Sequence, residues 1–99
     1  MAIKVDIDKK QVMRALITFS IEKVLSEIGK PVLDKVAARL YKEHQCYIPD
    51  CYEHPDYLNN VLRSVFGNSY VAIAQSIKLE LSEHLEDKVV LRLVNIIGS

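Results

Sequence analysis

Three glycines, at 29, 67 and 98, and three prolines, at 31, 49 and 55, are the strong helix breakers of this 99-residue chain. The stretches between them are free to run as helices wherever apolar side chains recur at the 3.6-residue period. They do so four times. Asp6 or Asp8 can cap a first helix over residues 9–28, because a short carboxylate accepts the unpaired N–H groups of a first turn. Val12, Leu16, Phe19 and Val24 run along one side of it, and Met13, Ile17, Ile21, Leu25 and Ile28 widen that side into a broad apolar arc.

Pro31, with no N–H to waste, opens a second helix over 31–44, acidic at its start and basic at its end as the helix dipole favours. Residues 45–54 lose the helical period, and Pro49-Asp50 signals a turn, so this Cys- and Tyr-containing segment is the main loop. Pro55 begins a third helix, 55–66, closed by Gly67-Asn68. Ser69 can cap a fourth over 69–85. That helix would reach about 43 Å if it continued to Ile97, longer than a small core is wide, so a break near Glu86-Asp87 into a separate element, 87–99, is the alternative.

The chain end fits two periods. Val89, Leu91 and Leu93 alternate as in a strand, whereas Val89, Leu93, Ile96 and Ile97 follow helical spacing. A strand would need residues 2–7 as its mate, where Ile3, Val5 and Ile7 also alternate. The fold class is therefore all-α: one domain over 1–99, a bundle of four or five amphipathic helices, with a small two-stranded terminal sheet as the alternative.

Charge excludes several roles. Thirteen basic and thirteen acidic residues cancel, so no global field draws the chain to nucleic acid or to an anionic membrane. No apolar run is long enough to span hydrocarbon and no secretion signal is visible. Two cysteines are too few for a secreted disulfide framework, so a cytoplasmic location with free thiols is expected.

The densest group of chemically capable side chains is His44, Cys46, Cys51 and His54. Tetrahedral zinc sites pair ligands two to four residues apart on two converging turns, and this group has neither that spacing nor a scaffold between its members. It stands as a possible ligand or metal site beside a simpler reading, in which the histidines flank helices and a cysteine packs as a small apolar residue. A Cys46–Cys51 disulfide is a further option. His54 with Glu53 or Asp56 could move protons, yet no third member is visible and no catalytic set is assigned. No phosphate-binding loop, dinucleotide turn or His-Glu-x-x-His helix occurs, and no cofactor is expected. Tyr41 and Tyr57 fall on apolar stripes, which leaves Tyr47 and Tyr52 as the exposed aromatics.

Several stretches are similar to the archaeal Nitrosopumilus output domain family. They are residues 21–29 (IEKVLSEIG), 36–41 (VAARLY), 55–58 (PDYL), 62–67 (LRSVFG) and 77–81 (IKLEL), together spanning about two thirds of the chain. The resemblance implies an all-helical domain with a signalling or regulatory contact, and it supplies no catalytic residues. The Cys46–Cys51 region and the tail from Asp87 lie outside the shared pattern.

A wide apolar arc on the first helix and an apolar tail are more than a small core needs. A large patch left in water promotes association, and a symmetric dimer covers it with its own copy. The expected function is thus a self-associating regulatory interaction module, dimeric through Val89, Leu93, Ile96 and Ile97, with a signalling protein as a further possible partner.

Overall fold

The computed structural model describes residues 8–98. Among them five α-helices follow one another: α1 (Lys9–Ile28), α2 (Lys30–His44), α3 (Pro55–Phe66), α4 (Tyr70–Glu80) and α5 (Lys88–Ile96). Short 3-10 turns, Ile48–Tyr52, Gly67–Ser69 and Ser82–His84, lie in the connections. No strand occurs among the described residues. The tail is helical, and residues 2–7, the other half of the alternative sheet, lie outside the described region, as does Asp6.

Asp8 performs the capping expected at the first helix: the Lys10 N–H donates to its Oδ1 at 3.0 Å. At the other end the Gly29 N–H donates to the Leu25 carbonyl at 3.1 Å, and α2 starts at the next residue. α1 contributes Ile17, Ser20, Ile21, Val24 and Leu25 to the core. Phe19 lies two residues from both Ile17 and Ile21, a rotation of about 200° on a helix, and so faces away from them. The core takes one half of the broad apolar arc; Val12, Phe19 and Ile28 remain exposed.

α3 is the central element. It packs against α2, α4, α5 and the Ile48–Tyr52 turn, burying Leu58, Val61 and Leu62. Gly67 then turns the chain with φ 56° and ψ −129°, a conformation that a Cβ resists. Ser69 makes no side-chain cap, because the Gly67–Ser69 turn already supplies a backbone acceptor, the Gly67 carbonyl, to the Tyr70 N–H.

α4 stops at Glu80 instead of running to residue 85. Leu81 stays in the core as the chain tightens through the Ser82–His84 turn. Asp87 then caps α5, its Oδ1 accepting from the Val89 and Val90 N–H groups at 2.9 and 3.0 Å. This break near Glu86-Asp87 lets α5 fold back onto α3 and add Val90, Leu93 and Ile97 to the core. The Asn59 Oδ1 accepts the Gly98 N–H at 2.9 Å and fixes the end of that return.

Candidate functional site

The segment 45–54 is more ordered than an open loop. Its 3-10 turn buries Ile48, Cys51 and Tyr52, because α1 and α3 both pack against it. The Tyr47 N–H donates to Asp50 Oδ2 at 2.8 Å, fixing the start of the turn. From α1, Arg14 reaches across to both acids, with Nη2 donating to Asp50 Oδ1 at 2.9 Å and Nη1 to Glu53 Oε2 at 2.7 Å and also to Glu53 Oε1. Lys10 Nζ sits 3.6 Å from Glu53 Oε1. The Tyr47 N–H, followed by the Arg14 guanidinium, holds the Asp50 carboxyl below its ordinary range. The hydrogen bond that Arg14 donates to Asp50 does most to raise the guanidinium in turn. Nothing in residue spacing announced this clamp, since Arg14 is separated from its partners by 36 and 39 positions.

The four candidate ligands are distributed differently. His44, at the end of α2, lies nearly parallel to the Tyr57 ring with centroids 4.2 Å apart and 6° between planes. His54 stacks on the same tyrosine at 4.6 Å and 14°. Cys46 donates its thiol to the His44 carbonyl at 3.3 Å. Cys51 faces the core while His54 faces solvent, so the turn sends the two apart. Among the described residues no three His, Cys, Asp or Glu side chains are arranged to hold a metal ion.

Both thiols are free, so the disulfide option does not describe this state. Burial, above all, pushes the Cys51 thiol up to about 12, which keeps it protonated and poorly nucleophilic at neutral pH. Desolvation raises the Cys46 thiol as well. Glu53, one of the carboxylates considered as a partner for His54, is committed to Arg14.

Two tyrosines exchange the places expected for them. Tyr52 is buried, and its hydroxyl lies 3.5 Å from Asp87 Oδ1, against the cap of α5. Tyr41 is exposed and tilts against the exposed Tyr47 at 5.6 Å. The second helix presents Val36 and Leu40 to the core, and Tyr41 is turned past them.

The apolar tail residues are also redistributed. Leu93 and Ile97 are fully enclosed in the chain's own core, and Val89 and Ile96 are half-buried. The Asp87 cap and the Asn59 bond fold them inward, so Leu93 and Ile97 present no surface to another molecule. The most exposed aliphatic and phenylalanine side chains are on α1 and α4: Phe19 is 64% exposed, Leu79 77%, and Ile28 and Val71 are exposed as well. Phe19 itself lines an open groove of about 520 Å³ together with Arg14, Ala15, Thr18 and Pro49.

No family model, curated protein or solved structure matches the chain. No helix among the described residues is long and apolar enough to cross a membrane. The fold and the surface carry the functional reading.

Proposed function

We propose that this chain is a regulatory interaction module that self-associates in the cytoplasm, the signalling-associated contact being what its resemblance to the Nitrosopumilus output domain implies and self-association being read from its outward apolar groups. The observation that supports it is the outward placement of Phe19 and Leu79 on a monomer whose core is already closed by Leu93 and Ile97. Neither exposed side chain is needed for that closure. Burying a large apolar side chain contributes about 1.5–3 kcal/mol, and a symmetric contact counts each one twice. Association costs at least about 4 kcal/mol in lost freedom, so a few such groups support a weak, concentration-dependent dimer. With balanced charge, the contact is mainly apolar and loses little at high salt.

Sedimentation equilibrium from low-micromolar to millimolar concentration tests this. The average mass should rise from that of the 11.3 kDa chain toward twice that value as concentration increases. A constant monomer mass across the range rejects self-association.

A further inference from the structure

The outer face of α1 carries a second helical pattern, distinct from the one that builds the core. Val12, Ala15, Phe19, Glu22 and Ser26 are all exposed and are spaced three or four residues apart, the spacing of a helix–helix seam. This stripe lies opposite Ile17, Ile21 and Val24, which face inward. One large side chain, Phe19, projects from it. Immediately toward the N-terminus the small Ala15, with Thr18 and Pro49, leaves the open groove. A projecting side chain and an open groove therefore sit side by side on one face, as a two-fold contact requires, since each copy must supply both halves.

Charge sets the orientation. The first turn of α1 carries Lys9, and its last two turns carry Glu22 and Glu27. Three of the other charges nearby are already engaged: Lys10 with Glu53 at 3.6 Å, Arg14 with Asp50 and Glu53, and Lys23 with Glu80 at 3.0 Å. Parallel helices would set lysine on lysine and glutamate on glutamate. Antiparallel helices set each lysine end against a glutamate end and oppose the two helix dipoles.

We infer that a second copy of this chain packs antiparallel along the outer face of α1, with Phe19 of each copy seated over Ala15 and Thr18 of the other. This rests on the self-association reading and names its surface. A strip about 30 Å long and about 12 Å wide covers only a few hundred Å² per copy, which is small for a stable interface and fits a reversible dimer.

The test is the dimer constant of five variants and the wild type, by sedimentation equilibrium at low salt, with helix content checked by circular dichroism. Phe19→Glu should weaken the dimer by at least about thirtyfold, because the contact then holds two unpaired carboxylates. Phe19 is exposed in the monomer, so helix content should be unchanged; Phe19→Ala gives a second reading without added charge. Leu79→Glu, on α4, should leave the constant within about threefold. Lys9→Glu should weaken the dimer by about two- to tenfold, and adding Glu27→Lys to the same chain should restore it. A dimer that survives Phe19→Glu but is lost on Leu79→Glu overturns this surface and leaves self-association standing. Failure of Glu27→Lys to restore the Lys9→Glu dimer overturns the antiparallel arrangement. A wild-type chain that stays monomeric while binding a different protein through Phe19 overturns both the occupant and the self-association reading.

Discussion

Replacing Leu93 with alanine measures how firmly α5 belongs to the monomer. Leu93 is 0% exposed, so truncation removes buried contacts and leaves a cavity; such substitutions cost about 2–5 kcal/mol. A domain of this size has a total stability of roughly 5–15 kcal/mol, and each kcal/mol moves its melting temperature by about 4–8 °C. Leu93→Ala should therefore lower Tm by roughly 8–40 °C. Leu91→Ala is the internal control. It makes the same chemical change on the same helix at a residue that is 40% exposed, and should cost under about 1 kcal/mol. Helix propensity changes equally in both, so the difference isolates burial. Thermal unfolding by circular dichroism, repeated at widely spaced protein concentrations, provides the readout. The Leu93→Ala loss should be the same at every concentration. Equal effects of the two substitutions, or a Leu93→Ala loss that fades as concentration rises, would refute the account by placing Leu93 at the surface or between copies.

Three further outcomes follow from local structure. Gly67→Ala should destabilise by about 1–3 kcal/mol despite open space around the site, because φ is 56° there; Gly29→Ala, with φ 161° and room for a Cβ at 3.7 Å from Pro31 Cδ, should be neutral or stabilise by up to about 1 kcal/mol, both read from denaturant midpoints. The Asp50 carboxyl titrates below the ordinary carboxylate value, so its contribution is fully present above that value and is lost as pH falls through the lower folded value. Asp50→Asn should flatten the decline of stability with acid in that window, and an unchanged slope in urea titrations would show that the clamp does not respond to pH. In the native protein at pH 8, Cys51 should resist alkylation and Cys46 should react more readily; mass spectrometry finding both modified at the same rate would contradict the burial of Cys51.

The helices were legible because apolar period, Pro starts and Gly stops agree with one another along the chain. Helices α1 to α3 keep the expected limits to within a residue, since Gly29, Pro55 and Gly67 mark ends that packing does not move. The fourth helix was overextended. No breaker stands between Ser69 and Gly98, and the stop at Glu80 comes from tertiary return of the tail, capped by Asp87 and tied by Asn59. Surface assignments were less legible for the same reason. Whether Leu93 faces inward depends on where the chain turns, and Phe19 is exposed because Ile17, Ile21 and Val24 fill the opposite side of α1. The Cys- and Tyr-containing segment looked irregular by period, yet Arg14, far away in sequence, fixes it into a buried turn that no local spacing encodes.

The central claim is that a second copy covers the outer face of α1. Isotope-filtered NMR on a mixture of labelled and unlabelled chain, at a concentration where the mass is that of a dimer, reads it directly. The account predicts intermolecular cross-peaks between the Phe19 ring and the Ala15 methyl group. Cross-peaks confined to Leu79 on α4, with none at Phe19, would contradict it.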